Sequence, residues 1–318
     1  MPMKSRVALV LPYYGGFPNY FSLFLKSVDL NPDFDLLLIT DLDCSGYYIP
    51  SNVHIIEMTF DEVRKRVWER VDRRFPLDEV YKLCDCRPCY GLIFTDELDG
   101  YDFWGHCDAD LLFGDLSLFI NDDLLALYDK LFSHGHFVLY RNCDRVNRLA
   151  LEYRDAPCGL DFAMSSKLAC YFDEVGMAHI AKIANIPVYQ NPAFADITPK
   201  YDRLTLAPIC SADNIANQHF YWRDGRVVRE SDGDDESLEF MYIHLQKRKM
   251  DVLITPGSRD WEIVNHAFYD EGRVPSKISG ALRARCVQEL GFQISRLKRF
   301  SPERVRLSAA IKSMRASL

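Results

Sequence analysis

No stretch of this 318-residue sequence approaches the roughly 20 consecutive apolar residues that a bilayer-crossing helix needs. Nor does it open on a charged segment followed by an apolar one, the pattern of a secretory leader. Met1 to Arg6 run straight into a short apolar segment at residues 7–11. The expectation is a cytoplasmic protein with reduced thiols. The ten cysteines lack the paired CxxC…CxxC spacing of a zinc ribbon. Cys84, Cys86 and Cys89, with Cys107 further on, read as small buried thiols. There is no internal repeat and no low-complexity tract. Positive charge is short: 38 Lys and Arg stand against 46 Asp and Glu, a formal net charge of −8. The deficit is uneven. Residues 276–318 hold ten basic residues and two acids, so that this tail carries +8 and the rest of the chain −16. An acidic body argues against a nucleic-acid partner. A basic tail on such a body is expected to do a separate job.

What is present points to an α/β protein. Hydrophobic residues make up 48% of the chain and aromatics 13%, enough for a large core. Residues 6–11 (RVALVL) and 34–40 (FDLLLIT) are continuous apolar runs, as in strands buried on both faces. Residues 53–58 and 101–107 (YDFWGHC) read as further strands. Between them lie helical patterns at 19–28, 61–74 and 78–97. This rhythm predicts a mostly parallel central sheet with flanking helices. Ligands of such sheets sit at the carboxyl ends of strands. The loop at residues 12–16, Asp41, and the pair Asp108 and Asp110 all fall at those ends. The second half is mixed: helices at 116–131 and 173–185, strands from 201 to 244, and a hairpin turn at Asp224-Gly225. The expected division is a catalytic unit over 1–255, with a nucleotide-binding half (1–115) and an acceptor half (116–255). A basic helical extension follows over 256–318.

The most informative segment is Phe103-Trp104-Gly105-His106-Cys107-Asp108-Ala109-Asp110-Leu111-Leu112-Phe113-Gly114-Asp115. Two carboxylates separated by one residue at a strand end can share a hard divalent cation, which also binds diphosphate oxygens. A cation there would assist departure of a nucleoside diphosphate. An isolated Asp-x-Asp is also a common polar turn; here it ends an apolar strand inside the α/β half.

On these residues the chain resembles a GT-A-fold glycosyltransferase. It is closest to bacterial polysaccharide-type transferases and more distantly similar to the glycogenin and mannosyltransferase groups. The resemblance runs from about residue 6 to residue 248 and is anchored at 108–115. It implies a Rossmann-like GT-A fold, Mn2+ or Mg2+ as cofactor, and a nucleotide-sugar donor, UDP-sugar by default. The acceptor would be a glycan or lipid-linked glycan. In those families a helix before the Asp-x-Asp strand carries an Asp-x-x-Arg motif facing the donor. Asp85 and Arg87 match it one residue closer together, with Lys82 as a further candidate. Trp104 would join the donor site. A late His completes the metal shell, with bases beside it on the diphosphate, which falls on His244, Lys247 and Arg248. Pro12 and Tyr13 would pack on the nucleotide base, and Asp41 would hydrogen-bond base or ribose. An inverting enzyme also needs a carboxylate base. Asp173 and Glu174 are the candidates, with Asp161 and Asp196 as rivals; the same acids could instead serve a helix N-terminus.

In the tail, Ile278, Leu282, Val287, Leu290 and Ile294 recur at near-helical spacing among basic residues. Such a helix could lie on an anionic membrane, giving peripheral contact, or dock on the acidic body. Two other readings of the whole chain stay open. One is another metal-dependent enzyme of nucleotides or phosphate esters. Against it, haloacid-dehalogenase-type phosphatases carry their Asp-x-Asp after the first strand, and the 12–16 loop has no Lys or Arg. The other is a non-catalytic carbohydrate-binding protein that keeps the fold. If the carboxylate pair is a surface metal site, removing either acid should abolish transfer with little loss of folding.

Overall fold

A computed structural model describes residues 3–191, 193–201, 203–231, 234–275 and 302–318. The chain is α/β. Its central sheet takes β1 (Val7–Pro12), β2 (Phe34–Thr40), β3 (Val53–Glu57) and β4 (Phe103–Cys107) from the first half. These run in the order β3-β2-β1-β4, all parallel. β5 (Leu111–Phe113) leaves this sheet for another. β6 (Lys130–Leu131), β7 (Phe137–Arg141) and β8 (Val188–Tyr189) complete the central sheet beyond β4. β7 pairs antiparallel with both β4 and β6, so the sheet is mixed rather than wholly parallel.

The apolar runs work as their composition demands. A strand flanked on both sides sends alternate side chains to opposite faces. In β1, Val7, Leu9 and Leu11 feed one core while Ala8 and Val10 feed the other. In β2, Leu36 and Leu38 join the first and Leu37 and Ile39 the second. Helix Phe21–Asp29 covers the first face. Helix Phe60–Arg70 covers the second, started by a capping box in which Thr59 and Glu62 satisfy each other's backbone N–H groups.

Two further sheets form the second half. β9 (Ala195–Asp196) and β13 (Tyr242–His244) join β5 in a small sheet of order β5-β13-β9. β10 (Gln218–Arg223), β11 (Arg226–Ser231), β12 (Asp234–Phe240), β14 (Asp251–Leu253), β15 (Asp260–Val264) and β16 (Ala267–Asp270) form a largely antiparallel six-stranded sheet. The hairpin at Asp224-Gly225 is present, both residues having positive φ (45° and 87°). Trp222 and Trp261 stack at 4.0 Å, and Trp222 Nε1 donates to Phe113 O at 2.8 Å, which ties this sheet to β5.

Four expectations need correction. The helix expected at 116–131 is a 3₁₀ turn, Leu116–Leu118, an α-helix, Asp122–Leu127, and strand β6. The segment read as a helix over 78–97 is a 3₁₀ helix, Val80–Cys89, followed by one α turn, Tyr90–Ile93. Pro88 inside it lacks the N–H that an α-helix would use. The helix expected at 173–185 begins as a π-helical turn, Phe172–Gly176, before α-helix Met177–Ile183. Residues 239–244 (EFMYIH), which read in sequence as one strand, belong to two, because at Met241 the chain passes from the six-stranded sheet into the small one.

The stretch carrying Ile278 to Ile294 lies outside the described residues. Helix Pro302–Ala316 packs on the body: Ile311 joins Cys158 and Val175, and Arg315 pairs with Glu174 at 3.0 Å. Among the described residues no helix is long and apolar enough to cross a membrane.

At Gly105 a Cβ would lie 2.2 Å from the Val138 carbonyl oxygen, so β4 and β7 can pair only over a glycine. Gly105→Ala is expected to cost about 3 kcal/mol. Urea unfolding should show the midpoint fall; an unchanged midpoint would mean the strands sit further apart than this.

Candidate functional site

Parallel strands β1, β2 and β4 end on one edge, so the loop after Pro12, Asp41 and Asp108 leave the sheet together. Backbone bonds clip the loops. Tyr13 N–H donates to Ile39 O at 2.8 Å, and Thr40 Oγ1 donates to Tyr13 O at 2.6 Å. The Tyr13 ring stacks on Phe17 at 5.4 Å, and Phe17 stacks on Phe21 at 4.0 Å. Burial, then the charges of Asp110 and Asp108, push the Tyr13 hydroxyl pKa up. Asp41 stands exposed at the end of β2.

Asp108 and Asp110 are held differently. The Asp108 N–H donates to His136 O at 3.0 Å, and its carboxylate pairs with Arg87. Asp110 is only 5% exposed. Its Oδ2 accepts the Lys247 N–H at 2.5 Å, and its Oδ1 lies 3.4 Å from His244 Nε2. That same nitrogen is 3.9 Å from Asp108 Oδ2. On the far side of the ring, His244 Nδ1 is 2.8 Å from Asp196 Oδ1, which also accepts Gln246 Nε2 at 2.6 Å. Strand register produces this arrangement. In the small sheet His244 pairs with Leu111 on one side, directly after Asp110, and with Asp196 on the other.

Burial by itself would lower the His244 pKa. The charge and hydrogen bond of Asp110, the hydrogen bond of Asp196 and the charge of Asp108 outweigh it and raise the pKa. Burial would likewise raise the Asp110 pKa, but the His244 charge and hydrogen bond, with Lys247, hold it low. The imidazolium therefore supplies the positive charge between these acids.

Two groups of residues could hold a metal ion among the described residues, and neither includes a cysteine. Asp108, Asp110 and His244 offer ligand atoms within 4.8 Å of one another, and so do His136, Asp196 and His244. The first set, two carboxylates and an imidazole, fits Mn2+ or Mg2+. The Asp196–His244 bond is the kind that orients a metal-ligating ring.

Arg87 reaches the site despite its shortened spacing. In a 3₁₀ helix residues i and i+3 eclipse, whereas i and i+2 point apart. Lys82 and Asp85 therefore share one face and Arg87 takes another. Arg87 donates to Gly135 O at 2.6 Å and to Asp173 at 3.0 Å, besides pairing with Asp108.

Several sequence-based assignments are corrected. Lys82 and Asp85 do not face a donor. Lys82 is 1% exposed; its Nζ bonds Asp85 at 2.8 Å and the carbonyls of Ala163 and Leu168, each at 2.7 Å. Asp85 also accepts the N–H groups of Cys170 and Phe172. The pair is an internal strut that fixes the turn carrying Asp173. Trp104 points into the second core, stacked on Tyr140 at 4.6 Å and donating to Asn147 at 2.7 Å, because its place in β4 faces away from the strand end. Arg248 clasps the carbonyls of Asn265, Thr198 and Tyr201 rather than a phosphate. Glu174 caps Gly135 N–H at 3.2 Å and meets Arg315. Asp161 pairs with Arg154 at 2.7 Å. Asp173 does come close to the acids, but buried and through Arg87; burial raises its pKa against the pull of Arg87, with Glu174 adding to the rise. Asp110 is no surface residue, so Asp110→Ala would leave the Lys247 N–H without its acceptor, take one carboxylate from His244 and cost stability.

Sequence reading assigned no role to His136 or Gln246 and cast Asp196 only as a rival base. The spacing His134-Gly135-His136 just before β7 was the available signal for the first. Gln246 and Lys247 both have positive φ (48° and 59°), which aims the Lys247 N–H at Asp110. The Lys247 ammonium lies 4.4 Å over the Tyr81 ring.

One family model matches residues 9–271 of the chain. The chain belongs to that family, DUF6625, a family of unknown function. No curated protein matches it. The matched span takes in every residue of the centre, from Tyr13 to Lys247.

A ligating imidazole must be neutral, so a cation binding at His244 displaces its proton. Mn2+ affinity should then rise with pH, about tenfold per unit while His244 is protonated in the free protein. Calorimetry in buffers of different ionisation enthalpy should count close to one proton released. In His244→Ala this slope should vanish; a pH-independent wild type would exclude His244 as a ligand.

Proposed function

We propose that this chain is a metal-dependent glycosyltransferase with a GT-A-like fold. It would transfer a sugar from a nucleotide-sugar, a UDP-sugar by default, to a glycan or lipid-linked acceptor. The observation that carries this reading is the convergence of Asp108, Asp110 and His244 at the carboxyl edge of the parallel strands, the edge at which the Tyr13 loop also leaves the sheet. The strand order β3-β2-β1-β4 with antiparallel β7 beyond it supports the reading.

Asp108, Asp110 and His244 would hold Mn2+ or Mg2+. A bound cation there supplies charge neutralisation to a departing diphosphate. The remaining work belongs to the chain. Tyr13, held on Phe17, offers a ring for the base, and Asp41 an acceptor for base or ribose. Lys247 brings an ammonium to the same edge for phosphate oxygens. Arg87 fixes the rotamer of Asp108, and Asp196 fixes that of His244, so the ligands are positioned before the donor arrives. Asp173 holds Arg87 from behind and acts as a positioning residue. Pro12 ends β1 at the point where the loop must turn toward the donor.

A thermal-shift screen of nucleoside diphosphates and nucleotide-sugars, with and without Mn2+, tests the reading. The expected result is stabilisation by one nucleotide series only when Mn2+ is present. Stabilisation independent of metal, or by none of the series, counts against it. Asp108→Asn and Asp110→Asn keep the side-chain shape and should lower Mn2+-dependent turnover of the stabilising nucleotide-sugar by at least about 1,000-fold. Circular dichroism should stay that of the wild type. Normal turnover by either variant is incompatible with the mechanism.

A further inference from the structure

We propose that His136, Asp196 and His244 form a second metal site, suited to Zn2+, and that its occupation excludes a cation from Asp108 and Asp110. The proposal rests on the reading of those two acids as a hard-cation site.

His136 is 6% exposed, and its two ring nitrogens are in different situations. Nδ1 is hydrogen-bonded to the Tyr242 hydroxyl at 2.8 Å, which fixes the ring. Nε2 is buried with no hydrogen-bond partner among the described residues. A buried polar nitrogen left unpaired is costly, so its retention points to something it binds. The rings of His136 and His244 lie 4.7 Å apart, and ligand atoms of His136, Asp196 and His244 fall within 4.8 Å of one another. Phe194 closes one wall, 4.9 Å from the His136 ring and stacked on Tyr242 at 5.4 Å. Two imidazoles and one carboxylate, all buried, form a donor set that favours Zn2+ over Mn2+ or Mg2+.

Exclusion follows from the chemistry of one imidazole. A neutral ring has one nitrogen that carries a proton and one with a free lone pair. If Nε2 gives its lone pair to a cation on Asp108 and Asp110, Nδ1 keeps its proton and donates it to Asp196. If Nδ1 gives its lone pair to Zn2+ with His136 and Asp196, Nε2 keeps the proton and donates it to Asp110. The ring serves one cation at a time. Zn2+ bound there denies the His244 lone pair to a cation on Asp108 and Asp110 and so acts as an inhibitor.

Titration of the full chain with Zn2+ against a chromophoric chelator, with Mn2+ followed by paramagnetic resonance, tests this. Zn2+ should bind once and expel Mn2+. His136→Gln should weaken Zn2+ by at least about 100-fold and leave Mn2+ affinity within about threefold. Asp108→Asn should do the reverse, weakening Mn2+ and sparing Zn2+. Should His136→Gln unfold, Asp196→Asn supplies the second variant: it should weaken Zn2+ by a comparable factor. Unchanged Zn2+ affinity in the folded variant, or additive binding of Zn2+ and Mn2+ to the wild type, overturns the proposal. A wild type that binds Zn2+ through His136 but never binds Mn2+ would instead sink the hard-cation reading.

Discussion

The centre depends on one electrostatic problem: Asp108 and Asp110 on one side and Asp196 on the other flank a single ring, and the positive charge between them belongs to that histidine. Acids this close repel one another unless a cation stands among them. His244 fills that role as an imidazolium, with Arg87 on the flank of Asp108. A proton is an exchangeable cation. The same geometry that raises the His244 pKa is therefore an arrangement that welcomes a divalent ion in its place. Fold and chemistry meet in the short strand Tyr242–His244, since its ladder to β5 and β9 sets the acids on either side of the ring.

The surroundings show how a protein holds such a centre still. Arg87 carries two acids and a backbone carbonyl at once, so Asp108 cannot turn away without breaking a buried network. Behind it the Lys82–Asp85 pair, wholly enclosed, binds four backbone groups of residues 163–172. A buried ion pair stabilises little for its own sake. Here it fixes the π-helical turn that delivers Asp173 to Arg87. At Gly135 a Cβ would come within 2.6 Å of the Asp173 carboxylate, so this turn and the His134–His136 loop need the glycine between them.

The sequence made the first half of this legible and left the second half obscure, for physical reasons. Buried parallel strands need continuous apolar runs, and β1, β2 and β4 were read from those runs. The edge where their loops gather followed from the rule for parallel sheets, and with it Asp108, Asp110 and Tyr13. His244 was reached through the resemblance, which asks for a late His with basic residues beside it. Trp104 and Lys82 were misplaced because chain proximity to a site says nothing of which face a side chain takes. A fully buried lysine is rare enough that no sequence pattern announces it. Arg248 was misread for a related reason: a guanidinium that satisfies three carbonyls looks, in sequence, like one that waits for phosphate. His136 and the orienting role of Asp196 depend on pairing between segments more than 40 residues apart, which periodicity does not encode.

The backbone after His244 shows which part of the region answers to the fold and which to the site. Gln246 and Lys247 both adopt left-handed conformations without being glycine. Each such residue costs on the order of 1 kcal/mol or more. A type of chain reversal that needs two such residues would ordinarily select glycine or asparagine. The fold would be served equally well by those substitutes, because the strand already ends at His244. What the substitutes would remove is the Gln246 amide on Asp196 and the Lys247 side chain over Tyr81. The Lys247 N–H on Asp110 would survive them. The strain is therefore kept for two side chains, one that fixes the acid orienting His244 and one that sets an ammonium at the open edge. That division locates the selective demand at the centre rather than in the packing of the sheets around it.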